Sequence, residues 1–299
     1  MKKALPNETL TMLRRDLHEA NRQAWNHATP VHNSHKENQA DFLKRGGTTL
    51  FPEELELLGE LSGLNIVHLQ CNSGQDSLSL ANQGAHVLGI DISDSAIEFA
   101  VDLTARSGIS AEFVRADIFD WFSEAAEKSK SYDIAFCSYG ALVWLSNINL
   151  WARGVEAILK AGGHLVVIDF HPLIGIFDED WQIMESYFSD NNPVTWDPGV
   201  GDYVGESGGF LSPSGYLVGI ENFTNPNPSH EFQWSISDIL TAVIDAGLII
   251  KTFKEYPYSN GANLLPDMKR AQKNRYLPPE GLPEMPLMFG LLAERLGKH

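Results

Sequence analysis

Short apolar runs alternate with amphipathic stretches along most of the chain after residue 64. The runs cover residues 66–69, 87–90, 112–114, 134–137 and 164–168. Between them, apolar positions recur at helical spacing in residues 75–83, 93–107 and 150–160. Buried parallel strands that are joined by helices give this pattern. The sequence therefore predicts an α/β fold with a doubly wound sheet.

The residues that start and stop helices agree with this interpretation. Ser93 stands where a helix N-cap is expected, and Ala96, Ile97 and Ala100 continue one apolar face. Gly108 follows the last residue of that face and predicts the end of the same helix.

Two segments lie outside the strand and helix alternation. Residues 8–44 are polar with apolar residues at helical spacing, which predicts an N-terminal helical arm or lid over residues 1–45. Residues 172–233 are dense in glycine, proline, asparagine, serine and aromatic residues, which predicts an insertion after the fifth strand that caps the substrate site. The main domain then covers residues 46–299. It resumes with a helix at 236–246 and strands at 248–250 and 287–293.

Charge and composition exclude several classes of partner. The 299 residues include 22 Lys and Arg against 39 Asp and Glu, a net charge of −17, so nucleic acid and anionic membrane are not expected partners. No apolar run approaches the roughly 18 residues of a membrane span, and no export signal is present, so a cytoplasmic protein is expected. Cys71 and Cys137 lie in apolar segments and are interpreted as buried small hydrophobes.

Polar residues follow three of the predicted strands. A turn of small polar residues, Gln70 to Gly74, follows the first strand, where α/β folds bind nucleotides. Asp91 ends the second strand, at the position where a carboxylate accepts both hydroxyls of a ribose. Asp117 follows the third strand, where it could accept an adenine amino proton while Ile118 covers the ring.

These blocks resemble the class I S-adenosylmethionine-dependent methyltransferases, a Rossmann-like family with seven strands. The resemblance is carried by Val67 to Gly74, Gly89 to Ser93, Arg115 to Asp117, Tyr132 to Ile134 and Leu159 to Leu165. The first block departs from the usual pattern, because His68, Gln70 and Asn72 stand where most members have an acidic residue and further glycines. With Trp25-Asn26 and Phe170-His171-Pro172, it is similar to a subgroup of bacterial small-molecule methyltransferases that has a His-Leu-Gln-Cys first motif.

The resemblance implies S-adenosylmethionine as cofactor and S-adenosylhomocysteine as product. It also implies that the arm closes over the cofactor. The expected cofactor-binding residues are Trp25, Gln70, Cys71, Asn72, Gly74, Asp91, Ile92, Asp117, Ile118 and Ser138.

The expected acceptor is a small, aromatic molecule that is methylated on a hydroxyl oxygen. His171 follows the fifth strand and is the predicted proton acceptor, with His32 and His35 as alternatives. The expected substrate-binding residues are His32, Tyr139, Trp144 and Trp181. No metal is expected, because Ser138-Tyr139-Gly140 lacks the acidic pair of a Mg²⁺ site.

The sequence leaves several alternative functions open. N-methylation of an amine or heterocycle is the close variant, and a non-catalytic S-adenosylmethionine-binding protein is the rival from another class. An NAD-dependent oxidoreductase is disfavoured, since one glycine stands where three are wanted in the first turn. A monomer or a homodimer is expected.

Overall fold

The computed structural model describes residues 13–188 and 192–297. Residues 8–12, where the predicted arm helix begins, lie outside the described residues.

A seven-stranded sheet forms the centre of the protein, as the resemblance predicts. Its strands, in the order in which they lie side by side, are β3 (Glu112–Arg115), β2 (His86–Asp91), β1 (Asn65–Leu69), β4 (Tyr132–Cys137), β5 (Leu159–Phe170), β12 (Met288–Arg295) and β8 (Leu248–Tyr256). The first five are parallel, and β12 pairs antiparallel with both β5 and β8. The doubly wound fold is confirmed.

Helices cover both faces of the sheet and bury its apolar strands. In chain order the helices are α1 (Arg15–Ser34), α2 (Gln39–Lys44), α3 (Pro52–Leu58), α4 (Gln75–Asn82), α5 (Asp94–Ser107), α6 (Ile118–Glu127), α7 (Ile148–Ile158), α8 (Tyr203–Ser207) and α9 (Ile236–Asp245). Val67, Phe136 and Val166 in the central strands are completely buried. This burial explains why the central strands are apolar over nearly their whole length.

The predicted helix ends are confirmed at α5. The Ser93 hydroxyl accepts a hydrogen bond from the Ala96 N–H, and Gly108 adopts the left-handed conformation, with φ of 72°, that ends many helices. The two cysteines are confirmed as buried free thiols.

The segments outside the sheet are more structured than the sequence pattern indicates. The predicted arm helix is two helices, because residues 35–38 turn away and Lys36 pairs with Tyr216 of the insertion in an isolated β-bridge. The insertion contains α8 and a two-stranded sheet of β6 (Val194–Trp196) and β7 (Ser229–Glu231). A further small sheet, which the sequence pattern did not predict, consists of β9 (Ser259–Asn260), β10 (Lys269–Ala271) and β11 (Arg275–Leu277).

No helix within residues 13–188 and 192–297 is both long enough and apolar enough to cross a membrane.

Candidate functional site

One large cavity lies at the carboxyl ends of the parallel strands. Its volume is about 1480 Å³, and it extends from the ends of β1, β2 and β3 past β4 and β5 into the insertion. A pocket for one drug-sized ligand measures about 300–1,000 Å³. The cavity is therefore large enough for two molecules side by side.

The loop after β1 has an unusual backbone. Gln70, Asn72 and Gly74 all have positive φ values, of 56°, 48° and 78°. Side chains other than glycine disfavour this left-handed conformation, and such strain concentrates at ligand sites. The Gly74 conformation also serves packing, because a Cβ there would lie 2.7 Å from Ala100 and Phe113. The loop thus turns sharply into α4 and leaves Gln70, Cys71 and Asn72 in the cavity wall, with Gly74 behind them.

The carboxylate of Asp91 joins the ends of β1 and β2. One oxygen accepts the N–H of Asn72 at 2.8 Å, and the other accepts the N–H of Ser93 at 2.8 Å. Burial raises the pKa of Asp91 to about 6. Asp91 lines the cavity beside Ile92, and each carboxylate oxygen can accept a second hydrogen bond. The position and chemistry therefore fit a ribose whose hydroxyls donate to this carboxylate.

Asp117 is engaged more fully than the sequence suggests. One oxygen caps α6 by accepting the N–H of Phe119 at 2.9 Å, and the other lies 2.7 Å from Nδ1 of His18. Nε2 of His18 in turn lies 2.8 Å from the Ser146 hydroxyl. Asp117 thus joins the arm to the sheet, and Ile118 lines the same part of the cavity.

The arm crosses the cavity beside the loop after β1. Nδ2 of Asn33 donates to the Ser73 hydroxyl at 2.9 Å, and Nε2 of Gln75 donates to Oδ1 of Asn33 at 2.8 Å. Trp25 lines the cavity from the arm, with its ring 5.5 Å from that of Trp144. The arm is therefore held against the loop after β1.

The arm is also bonded to the insertion, so that the two together cover the cavity. Asn225 donates to the carbonyl of Ala24 at 2.9 Å, and the N–H of His230 donates to Asn21 at 2.7 Å. His35 lies on the insertion side, with Nε2 2.7 Å from Asp202.

His32 lies in the cavity wall. Its Nε2 lies 2.8 Å from the carbonyl oxygen of Gly201, so Nε2 carries the proton and donates it. Nδ1 is buried and has no hydrogen-bond partner in the part of the chain that the structure describes. Burial lowers the pKa of His32 to about 4, so the ring is neutral and Nδ1 keeps its lone pair. The ring packs 4.3 Å from that of Tyr203.

His171 lies at the cavity wall, but both of its nitrogens are engaged. Nδ1 accepts the N–H of Leu173 at 3.1 Å, which caps a short helical turn, and Nε2 is 3.0 Å from Glu255. A neutral His171 therefore donates from Nε2 and has no free lone pair for a substrate proton. The geometry does not favour the predicted role of His171 as proton acceptor.

The predicted aromatic substrate residues are only partly brought together. Tyr139 and Trp144 line the cavity, and so does Ser138. Trp181 does not line it: the ring is buried against Met268, Tyr276 and Leu287, and its N–H donates to the carbonyl of Pro266. The prediction for Trp181 is therefore corrected, because this side chain belongs to the apolar cluster that supports the small sheet of β9, β10 and β11.

Asp76, Lys36 and Thr49 line the cavity but were not assigned to the site from the sequence. Asp76 lies in the first turn of α4, and its oxygens accept the hydroxyls of Thr49, at 2.5 Å, and Ser138, at 3.4 Å. The acidic residue in the first turn of a helix after the loop was a usable signal for Asp76. No sequence signal marks Lys36 or Thr49, because their positions depend on long-range packing. Tyr203, which the sequence includes among the aromatic residues that could line the pocket, enters the cavity wall from the insertion.

Across residues 13–188 and 192–297, no three His, Cys, Asp or Glu side chains are grouped so that they could hold a metal ion.

Comparisons with known proteins concern the domain and the fold that carry this site. Residues 60–198 match a family model described as a methyltransferase domain. The fold is similar to that of an S-adenosylmethionine-dependent methyltransferase from Mesorhizobium loti, with a TM-score of 0.53 and 20% identity over 83% of this chain and 99% of that chain. A second such structure, from Listeria monocytogenes, has a TM-score of 0.55 and 16% identity over 82% of this chain and 97% of that chain.

Curated relatives share a shorter stretch. "Probable thiol methyltransferase 2" of Arabidopsis thaliana is 32% identical over 103 residues, 33% of this chain and 43% of the relative. "Ubiquinone biosynthesis O-methyltransferase" of Bordetella avium is 30% identical over 108 residues, 36% of this chain and 43% of the relative. The chain spans less than half the length of these relatives.

Residues 60–198 thus match a methyltransferase domain, and the fold is similar to that of S-adenosylmethionine-dependent methyltransferases. The cofactor of those enzymes is S-adenosylmethionine, and the acidic ends of β2 and β3 fit its adenosine portion.

Proposed function

We propose that this protein transfers the methyl group of S-adenosylmethionine to a hydroxyl oxygen of a small aromatic acceptor. The observation that carries the proposal is the continuous cavity of about 1480 Å³, which joins the carboxylates at the strand ends to an aromatic region under the arm and insertion.

The cofactor side is supported by the loop after β1 and by Asp91. The backbone from Gln70 to Gly74 would hold the methionine portion, and Asp91 would accept the ribose hydroxyls. The carboxylate of Asp117 already bonds His18, so we assign the adenine contact to the Ile118 side chain and the remaining lone pairs of Asp117. Trp25 closes this part of the cavity from the arm.

The acceptor side is supported by its aromatic wall. Tyr139, Trp144, Phe170 and Tyr203 line the cavity beyond the ends of β4 and β5. Flat side chains of this kind bury a planar ring well and fix its orientation. The names of the two curated relatives concern methylation at oxygen and at a thiol, and both nucleophiles lose a proton when they are methylated.

In the proposed reaction the acceptor oxygen attacks the methyl carbon in line with the carbon–sulfur bond. The oxygen–carbon bond forms, the bonding pair of the breaking bond stays on sulfur, and S-adenosylhomocysteine leaves as a neutral sulfide. Alignment in a closed cavity supplies much of the rate enhancement. The hydroxyl proton needs an acceptor, because a phenol with a pKa near 10 is mostly protonated at pH 7.

We assign the proton to Nδ1 of His32 rather than to His171. A buried ring nitrogen that lacks a hydrogen-bond donor costs roughly 1–3 kcal/mol. The hydroxyl group of the bound substrate would supply that donor. The lowered pKa of His32, about 4, keeps the ring neutral but makes it a weak base, so the proton is transferred only as the oxygen–carbon bond forms and the hydroxyl becomes strongly acidic.

The test is the formation of S-adenosylhomocysteine from S-adenosylmethionine with a panel of phenols, catechols, hydroxybenzoates and aromatic amines. We expect turnover with hydroxylated aromatic compounds and a loss of about 10²–10⁴-fold in kcat for His32→Asn, with unchanged affinity for S-adenosylhomocysteine. His171→Asn is the matched control, because asparagine retains an acceptor for the Leu173 N–H.

Three results would contradict parts of the proposal. Turnover confined to amines would show that the methylated atom is nitrogen and not oxygen. Cofactor binding without turnover on any acceptor would favour a non-catalytic binding protein. An activity loss in His171→Asn but not in His32→Asn would show that His171, and not His32, is the proton acceptor.

A further inference from the structure

A buried carboxamide in the cavity wall has an oxygen that forms no hydrogen bond. Asn260 ends β9 and lines the cavity, and only 1% of its surface is exposed. Its Nδ2 donates to Oε2 of Glu53 at 2.9 Å and to the Tyr139 hydroxyl at 3.0 Å. Across residues 13–188 and 192–297, Oδ1 of Asn260 has no hydrogen-bond partner. The described part of the protein therefore supplies no donor to this oxygen.

Glu53 determines which end of the carboxamide is the oxygen. Arg275 forms an ion pair with Oε1 of Glu53, and the Tyr258 hydroxyl donates to the same oxygen at 2.9 Å. An ionised carboxylate only accepts hydrogen bonds, so the atom of Asn260 that lies against Glu53 must be the amide nitrogen. A rotated amide would set its oxygen against the carboxylate. Oδ1 of Asn260 is therefore held away from Glu53 by a network that fixes the side chain.

The same carboxamide lies beside the aromatic wall of the cavity. Tyr139, which accepts from Nδ2 of Asn260, has its ring 5.4 Å from that of Phe170 and 6.1 Å from that of Phe51. All three rings line the cavity. A planar substrate that packs against these rings would place the substituents on its edge beside Asn260.

A second amide of the same segment also lacks a partner for its oxygen. Asn263 lines the cavity three residues after Asn260, and its backbone N–H donates to the Ser207 hydroxyl at 2.9 Å. Its Oδ1 is buried and has no hydrogen-bond partner among the residues that the structure describes. An unpaired buried acceptor is costly, and a ligand that brings an O–H or N–H group would remove the cost.

We propose that Asn260 and Asn263 bind a second hydrogen-bond-donating group of the substrate, a hydroxyl or an N–H, in addition to the hydroxyl that is methylated. The inference rests on the proposed function, which places an aromatic substrate in this part of the cavity. It adds to that substrate a second polar group, which donates to the amide oxygens while the first hydroxyl donates to His32. Its test measures binding and does not depend on turnover.

The test is calorimetry of the protein saturated with S-adenosylhomocysteine, with phenols that differ only in their second group. The pairs are hydroquinone with 4-methoxyphenol, resorcinol with 3-methoxyphenol, 4,4′-dihydroxybiphenyl with 4-hydroxy-4′-methoxybiphenyl, and 4-acetamidophenol with 4-acetoxyphenol. The second member of each pair lacks the donor, and the four pairs cover different distances between the two groups. In at least one pair, we expect the member with the donor to bind the wild type about tenfold more tightly.

Variants assign this preference to the two amides. Asn260→Ala should reduce it to about twofold or less, because both members lose the same packing and only one loses a hydrogen bond. Asn263→Ala should also reduce it, and this side chain gives up no hydrogen bond within the described residues, so it serves as the test if Asn260→Ala does not fold. Gln272→Ala, at an exposed position between β10 and β11, is the matched control and should keep the full preference. Thermal unfolding of each variant shows whether it is folded.

Three results would overturn the proposal. One is equal binding of both members of every pair by the wild type, and another is no detectable binding of any of these phenols. The third is a preference that persists unchanged in the folded alanine variants. Methyl transfer to hydroxylated aromatic compounds without any such preference would leave the proposed function in place, whereas a preference without turnover would count against the proposed function alone.

Discussion

The carboxylate of Asp91 holds the loop after β1 in place and also lines the cavity. Its bonds to the Asn72 and Ser93 N–H groups hold the loop after β1 against β2, and its remaining lone pairs face the cavity. Asp169 acts similarly at the end of β5, where it accepts the N–H groups of Leu142 and Phe170. Burial raises the pKa of each to about 6, so both are ionised at neutral pH but titrate within an accessible range.

The titration of Asp91 predicts a pH dependence of cofactor affinity. In the proposed site, ribose hydroxyls donate to the ionised carboxylate, so binding would favour the deprotonated form. The affinity for S-adenosylhomocysteine should therefore fall as the pH is lowered through about 6, by at most about tenfold per pH unit for one proton. Calorimetry at pH 7.5 and pH 5 measures this change.

Two variants provide the control. Asp91→Asn should bind weakly at both pH values and show a flattened profile, whereas Asp102→Asn, an exposed site on α5, should keep the wild-type profile. A steep profile that persists in Asp91→Asn would contradict the assignment.

His171 is expected to act on stability rather than on chemistry. His171→Ala removes a helix cap and the bond to Glu255, and should lower the free energy of unfolding by about 1–2 kcal/mol. His171→Asn, which can cap the same turn, should lose less. Denaturant unfolding of both variants measures the difference, and equal stability of wild type and His171→Ala would show that the cap contributes little.

At the scale of helices and strands, the sequence predicted those features that depend on a local pattern of residues. The apolar runs identified the five parallel strands, and Ser93 and Gly108 identified both ends of α5, because burial and capping leave a local signature. The positions of Asp91 and Asp117 at strand ends were recognised for the same reason. The local sequence does not show whether a side chain has a hydrogen-bond partner within the protein. His18 reaches Asp117, and Glu255 reaches His171, from distant parts of the chain.

The insertion shows the same limit. Its glycine and proline content predicted irregular structure, but the pairing of β6 with β7 joins residues more than thirty positions apart. Trp181 was assigned to the substrate pocket because it is aromatic, and only the tertiary contacts place it in an apolar cluster.

The position of α1 predicts that cofactor affinity depends on the bonds between arm and loop. Asn33→Ala removes the bonds to Ser73 and Gln75 within a buried contact, and should weaken S-adenosylhomocysteine binding several-fold. Hydrogen exchange should become faster in α1 while the sheet stays protected. Arg106→Ala, which removes an exposed ion pair on α5, is the control.

Two outcomes would contradict a lid role for the arm. One is unchanged affinity in Asn33→Ala despite faster exchange in α1. The other is unchanged affinity after deletion of residues 1–26, with the remaining domain folded.

At the scale of the whole molecule, the net charge of −17 should attract the proposed cofactor more strongly than its product. S-adenosylmethionine carries a sulfonium, an ammonium and a carboxylate, for a net charge of +1, whereas S-adenosylhomocysteine has lost the sulfonium and is neutral overall. A cavity whose described lining includes Asp76, Asp91, Asp117 and Asp169 attracts the first more than the second. In the proposed reaction, methyl transfer would therefore remove part of the attraction that holds the ligand and help the product to leave.

This difference predicts an effect of salt that distinguishes the two ligands. The screening length falls from about 30 Å at 0.01 M to about 3 Å at 1 M ionic strength, so distant acidic groups stop contributing. The affinity for S-adenosylmethionine should fall by roughly two- to fivefold over this range, while that for S-adenosylhomocysteine changes much less. Calorimetry with both ligands in the same salt series measures the ratio of their dissociation constants. Because the two ligands share every contact except the methyl group, a ratio that is independent of salt would mean that the net charge of the protein has no part in selecting the cofactor.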